Sequence, residues 1–232
     1  MNIDGVGAFD HVSRARMFTE LLHNSELQCL VPFIRQWYGE QSEFRWVDEH
    51  GTCHTILQGD GGEQGDAMMP ALFCLALHPA LAEIRRRLPP GAEILAYLDD
   101  IYVACDPTDA HFILHDVQQT FREMCRIDVH TGKLVIWGRT PQPCPQDIAP
   151  VAPTAWKCDA PLHERGIKIL GTPLGAPQFV RSFGAKLADR RAKLLQLLPK
   201  LPTLQSAWLL LYYCAVPRLN HLLRTLPPTE VQ

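Results

Sequence analysis

Asp99 and Asp100 stand side by side in AYLDDIYV, a segment whose Tyr, Ile and Val flanks favour a strand. Aspartate also makes turns, because its carboxylate accepts from nearby backbone amides, so ILAYLDDIYVA reads first as a β-hairpin with a tight connection. Alternation adds chemistry to that turn. Ile94, Ala96 and Leu98 fall on one face of the incoming strand and Leu95, Tyr97 and Asp99 on the other, so Tyr97 and Asp99 share a surface at the tip. A tip that bears carboxylates suits a divalent cation, which takes hard oxygen ligands. One hairpin does not complete such a site, so further carboxylates have to come from elsewhere.

Other groups with chemical potential are weaker candidates. His111 and His115 have the spacing of a helical metal pair but no evident third ligand, and a solvated helix face is the simpler reading. The loop QGDGGEQGD is rich in glycine, yet Asp60, Glu63 and Asp66 would repel a phosphate, and the lysine that closes a Walker loop is absent. None of the eight cysteines belongs to a CxxC pair, which excludes a zinc ribbon and a thioredoxin-like motif.

The elements that would position these groups follow from hydrophobic period. A short strand ends near Asp4, and GVGAFD leads to a helix over about 11–24, with Val12, Met17, Leu21 and Leu22 inward and Asp10 as its N-cap. A second helix covers about 26–38, and EFRWVDEHGTCHTIL alternates about Gly51 as a hairpin does. A long helix over about 66–87 opens with Asp66 near its N-terminus, the hairpin at 94–104 follows, and a helix over about 108–126 turns Phe112, Val117, Phe121 and Met124 inward. Short strands around KLVIW and GIKILGTPL flank a proline-rich loop. A basic helix near 178–198 and an apolar one near 203–224 close the chain. The hairpins make this an α+β protein, an antiparallel sheet backed by helices, followed by a helical region.

Composition sets the class. At 232 residues, 47% hydrophobic and 20% charged, the chain is an ordinary globular protein and not a disordered one. Cysteine usage fits a reduced intracellular compartment. The N-terminus MNIDGVGAFD lacks the apolar core of a secretory signal, and the longest apolar runs are too short or interrupted to span a bilayer. The net charge of −3 conceals a split: residues 1–130 carry 20 Asp and Glu against 9 Lys and Arg, whereas residues 131–232 carry 5 against 13. An acidic region able to hold cations thus precedes one that attracts polyanions, although two surfaces that merely complement each other would give the same counts.

Taken in order, DGVGAFDHV, EQGDAMMPALF, YLDD, TGKLVIW and IKILGTPLG look like motifs A to E of a polymerase. The chain resembles the reverse transcriptase domain of non-LTR retrotransposons, in the right-hand polymerase superfamily that includes group II intron reverse transcriptases and telomerase. SAWLLLYYCAVPRLNHLLRTLPP is similar to the thumb of that family, so the resemblance runs from Asp4 to about Pro228. It implies an antiparallel-sheet palm with a ferredoxin-like core over 1–176 and a helical thumb over 177–232. The implied activity is RNA-directed DNA polymerisation, with two ions of Mg²⁺, or Mn²⁺ in its place, about 3.5–4 Å apart to clamp the attacking and leaving oxygens. Asp4, Asp99 and Asp100 would be the metal-binding and catalytic carboxylates, and Lys133 a catalytic proton donor to the leaving pyrophosphate. Phe9 would lie under the sugar and exclude a 2′-hydroxyl, and Gln64, Gly65 and Tyr97 would surround the incoming nucleotide. Gly171, with Gly175, would support the primer end, and Arg181, Lys186, Arg190, Arg191 and Lys193 would hold backbone phosphates without reading sequence. The partners implied are an RNA or DNA template with its primer and deoxynucleoside triphosphates, inside the cell, the nucleus included, and away from any membrane.

The sequence departs from the family pattern in places. Ala67 and Met69 occupy motif B positions that usually hold a proline and a small residue, and motif D lacks the polar residue often found ahead of its lysine. The chain opens at motif A, so the fingers that grip the triphosphate in this family are expected to be missing, with poor polymerisation by the chain alone. The competing expectation is a catalytically inactive, truncated remnant that still binds nucleic acid. A protein-interaction domain is a further reading, and it leaves Asp4, Asp99 and Asp100 without a role.

Overall fold

The structure is a computed structural model that describes residues 1–63, 65–227 and 229, apart from the side chain of Leu219; the expected nucleotide contact Gln64 lies outside the described residues. The chain divides into two compact units, one of residue 1 with 3–134 and one of residue 2 with 135–232. Small antiparallel sheets and helices are mixed throughout.

The first unit runs β1 (Asn2–Ile3), α1 (Ala8–His11), α2 (Arg14–His23), α3 (Val31–Tyr38), β2 (Ser42–Val47), β3 (Cys53–Gln58), α4 (Met69–Arg87), β4 (Glu93–Tyr97), β5 (Asp100–Ala104) and α5 (Ala110–Cys125). Its three-stranded sheet has the order β1-β5-β4. The edge strand β1 is short, and Met1 exchanges backbone bonds with Val103 to anchor it. Helix α4 buries Met69, Leu72, Phe73, Ala76, Leu77, Ala80 and Ile84, an apolar stripe at helical spacing. It packs on α2 and on α5, which offers Ile113, Leu114, Val117 and Phe121. Each such large side chain, fully buried, stabilises the fold by roughly 1.5–3 kcal/mol. The hairpin β2–β3 pairs Ser42 with Gln58 through Val47 with Cys53 and is exposed along most of its length.

Several expected details differ. The N-cap of α2 is Ser13, whose hydroxyl accepts from the Arg16 amide; Asp10 sits inside α1. Leu22 is 53% exposed and Phe112 58% exposed, because the buried stripes pass through Leu21 and through Ile113 and Leu114 on adjacent faces. The expected helix over 26–38 begins as a 3₁₀ turn, Gln28–Leu30, before α3.

The second unit contains β6 (Gly166–Ile169), β7 (Thr172–Gly175), α6 (Pro177–Leu197), α7 (Leu204–Leu210), a π-helical segment Leu211–Ala215 and α8 (Pro217–Thr225). The β6–β7 turn is two residues long, Leu170 at φ 46 and Gly171 at φ 85, both in the left-handed region that a tight hairpin of this twist requires. Glycine meets that demand without strain, and Leu170 meets it at a cost. KLVIW is not a strand: Val135 bridges Asn2 and Ile136 bridges Trp156, each singly. The expected terminal helix is broken in two by the π-helical segment. Among the described residues, no helix is long and apolar enough to cross a membrane.

Candidate active site

The segment after β1 is stitched to the segment after α5. The Asp4 carbonyl accepts from the His130 amide at 2.8 Å, Gly5 bridges Val129, and the Val6 amide donates to Asp128 at 2.7 Å. This pairing returns the 3₁₀ turn Thr131–Lys133 to the start of the chain, where the Lys133 ammonium lies 2.7 Å from the Asp4 carboxylate. The hydrogen bond to Asp4 holds the Lys133 pKa above that of an ordinary lysine, the charge on Asp4 adds to this, and the charge on Asp99 adds further. Asp4 and Asp99, 95 positions apart in the chain, thus act on one ammonium.

Asp99 sits in the two-residue connection between β4 and β5, after Leu98 at φ 56. A non-glycine residue in that region costs of order 1–3 kcal/mol and persists where its surroundings over-determine it. Tyr97, paired across the hairpin with Asp100, is 62% exposed, and Asp100 heads β5. Asp99 lines a cavity of about 310 Å³ together with Phe9, Glu63, Gly65, Asp66 and Met69. Phe9 stacks on Phe73, ring centroids 4.4 Å apart and planes 15° from parallel, so one side of its ring is held by the core while the residue still lines the cavity. Phe9 therefore combines the expected site position with the packing of a core residue.

The loop carrying Glu63, Gly65 and Asp66 is positioned by groups that the family motifs do not include. Arg14 is 4% exposed, and its guanidinium donates to the Gly61 carbonyl at 2.7 Å, the Glu40 carbonyl at 2.7 Å and Ser42 Oγ at 3.0 Å. It also lies over the Tyr38 ring, 5.2 Å from the centroid. Burial lowers the pKa of Arg14 from the usual arginine value, an effect opposed by Tyr38, Asp60 and Glu63. Tyr38 donates its hydroxyl to Asp66, whose other oxygen accepts from the Met68 amide at 2.8 Å, and burial with this bond raises the tyrosine pKa. Gly61, at φ 64, sits so close to the Asp10 backbone that a Cβ there would approach its carbonyl to 2.2 Å. The signal for Arg14 is in the sequence: Arg14, Met17 and Leu21 share one helix face, and that face is buried. A cation on such a stripe needs acceptors.

Beyond the shared rim of Glu63, Gly65 and Asp66, a second cavity of about 590 Å³ is walled by Phe33, Trp37 and Tyr38. In the other unit, Gly171 makes the β6–β7 turn, and Arg181, Lys186, Arg190, Arg191 and Lys193 lie on α6, all exposed except the half-buried Arg191. Among the described residues, no group of three or more His, Cys, Asp and Glu side chains is gathered as a metal set. Asp4 pairs directly with the Lys133 ammonium, and the charge on Asp99 also acts on that ammonium. Of the expected acids only Asp99 lines the 310 Å³ cavity; Asp4 and Asp100 are not among its lining residues. The donor chemistry of Asp4 and Asp99, all carboxylate oxygen, fits a hard divalent cation.

Residues 1–174 match the family described as "Reverse transcriptase (RNA-dependent DNA polymerase)". Over 107 residues, 46% of this chain, the sequence is 27% identical to the "Retrotransposable element SLACS 132 kDa protein" of Trypanosoma brucei gambiense. That alignment spans 9% of the trypanosome protein's length.

Proposed function

The chain belongs to the reverse transcriptase (RNA-dependent DNA polymerase) family, and we propose that it serves a retrotransposon of the non-LTR kind by joining deoxynucleotides to a primer 3′-hydroxyl on an RNA or DNA template. One observation carries this reading: the Lys133 ammonium pairs with Asp4 and feels the charge of Asp99, which lines a cavity together with Phe9. Asp4 and Asp99, with Asp100 next to them, would hold Mg²⁺ or Mn²⁺, which supply charge stabilisation to the attacking and leaving oxygens of nucleotidyl transfer. Phe9, braced by Phe73, gives the cavity a flat apolar wall, against which a sugar lacking a 2′-hydroxyl packs and one bearing it is left with an unmatched polar group. Gly65 lines the same cavity, and the exposed Tyr97 would contribute to nucleotide binding from the end of the hairpin strand. Lys133 keeps its proton while paired with Asp4. Released from that carboxylate, its pKa returns toward that of an ordinary lysine, and it becomes a better proton donor to a leaving phosphate.

We assign the palm to residues 1–176 and the thumb to 177–232, where the basic helix α6 holds backbone phosphates and the Gly171 turn supports the primer end. Work on a genomic template would require the protein in the nucleus. The test is extension of a labelled DNA primer on an RNA template. Incorporation that needs Mg²⁺ and is lost in Asp99→Asn supports the proposal; binding of the primer–template without incorporation supports a non-catalytic nucleic-acid-binding role instead.

A further inference from the structure

Trp208, Tyr212 and Tyr213 form a ring cluster on α7 and the π-helical segment, and all three are exposed, by 60%, 57% and 68%. Trp208 and Tyr212 lie with planes 22° from parallel and centroids 6.2 Å apart, and Tyr212 meets Tyr213 edge-on at 5.0 Å. Trp208 and Tyr212 are four residues apart, about one helical turn, and so lie on one face of the helix, with Tyr213 next to them. Adjoining exposed apolar groups mark an interaction site in a way that singly scattered ones do not.

The charge around this cluster selects its occupant. From Arg190 to Thr229 the sequence contains six cations, Arg190, Arg191, Lys193, Lys200, Arg218 and Arg224, and no Asp or Glu. Helix α6, which packs against the π-helical segment, carries the exposed cations Lys186, Arg190 and Lys193 at i, i+4 and i+7, with one acid on the helix, the exposed Asp189, beside them. A unit that exposes π-faces and carries an excess of cations on the packed neighbouring helix fits a polyanion that also presents flat rings. We propose that Trp208, Tyr212 and Tyr213 are a stacking platform for the unpaired bases of a single nucleic-acid strand, with the α6 cations holding its phosphates. Paired bases in a duplex cannot offer their faces to such a platform, so the site selects single strand over double strand. The inference deepens the nucleic-acid role of this unit and rests on that reading for the choice of polymer, but not on Asp4, Asp99 or catalysis.

The experiment is fluorescence anisotropy at fixed salt with three labelled probes of roughly 12 units: oligo-dT, an abasic strand with the same phosphates, and a DNA duplex. Oligo-dT is expected to bind roughly five-fold to a hundred-fold more tightly than the abasic strand and more tightly than the duplex. The pair Trp208→Ala, Tyr212→Ala is expected to erase the preference over the abasic strand without changing the salt slope, while Trp208→Phe, Tyr212→Phe retains it. Reversal of Lys186, Arg190 and Lys193 to Glu is expected to weaken all probes and lower the salt slope. Equal binding of oligo-dT and the abasic strand by the unsubstituted protein overturns the proposal whether or not any variant folds. A change in oligomeric state on removing the rings, seen by sedimentation, also overturns it, since the face would then cover a second copy. Loss of primer extension in Asp99→Asn with the oligo-dT preference intact separates this site from the catalytic reading.

Discussion

Lys133 carries the sharpest expectation at the scale of single residues. Its ammonium occupies Asp4, and both Asp4 and Asp99 hold it charged. A cation's pKa raised by folding contributes stability that is fully present below the unfolded value, near 10.4, and is lost as pH rises through the higher folded value. The thermal midpoints of the wild type and Lys133→Ala should therefore differ by a constant amount between about pH 6 and 9 and converge only at strongly alkaline pH. A difference that varies within the neutral range would contradict the pairing. In single-turnover incorporation, Lys133→Ala is expected to slow the chemical step about 10²-fold while changing nucleotide affinity less. Phe9 is tested through selectivity. Phe9→Val removes the wall that Phe73 braces, so ribonucleotide use relative to deoxynucleotide should rise roughly ten-fold or more, with a decrease of about 1–3 kcal/mol in stability as stacking and burial are removed. An unchanged nucleotide ratio alongside the stability decrease would make Phe9 a packing residue only.

Among elements, the loop between β3 and α4 depends on Arg14. Arg14→Met would leave the carbonyls of Gly61 and Glu40 without their charged donor, and the expected cost is about 2–3 kcal/mol in urea unfolding. Arg14→Lys should recover only part of it, because an ammonium cannot span three acceptors as a planar guanidinium does. Full recovery with lysine would show that charge alone matters there. This network also marks where the sequence stops being legible. The hairpins at Gly51 and at Asp99 are written in alternation and turn chemistry, and α4 and α5 in apolar stripes, all local signals. Arg14 bonds to partners 47, 26 and 28 positions away, which no local pattern encodes. The same holds for Lys133, whose place beside Asp4 depends on the bonds between the 4–6 and 128–130 segments; the family motif marks the residue, while its partner is legible only in the fold. The misplaced details are of another kind. Leu22 and Phe112 each lie one helical step from a buried position, and apolar type alone does not say which of two neighbours the core takes. Asp10 and Ser13 are both good caps, and α2 uses Ser13 because α1 consumes Asp10. The π-helical winding that divides the last apolar run has no turn residue to announce it.

For the whole molecule, the division of charge assigns work to the two halves of the sequence. Residues 131–232, with 13 Lys and Arg against 5 Asp and Glu, should supply most of the affinity for nucleic acid, with log K falling linearly in log salt. Reversing Arg190 and Arg191 to Glu should weaken all sequences alike and reduce the slope by roughly one for each phosphate no longer neutralised. A weakening confined to certain sequences would show base reading instead. In the acidic half, the proposed cation site is the pair Asp4 and Asp99, where a divalent ion would compete with Lys133. Paramagnetic broadening of backbone amide resonances by Mn²⁺, titrated against Mg²⁺, tests this most directly. Broadening is expected at residues 4–5 and 98–100, reversed by excess Mg²⁺, abolished in Asp99→Asn and reached at lower Mn²⁺ in Lys133→Ala. Broadening centred on the acidic loop at Asp60, Glu63 and Asp66, or left unchanged by Asp99→Asn, would contradict it.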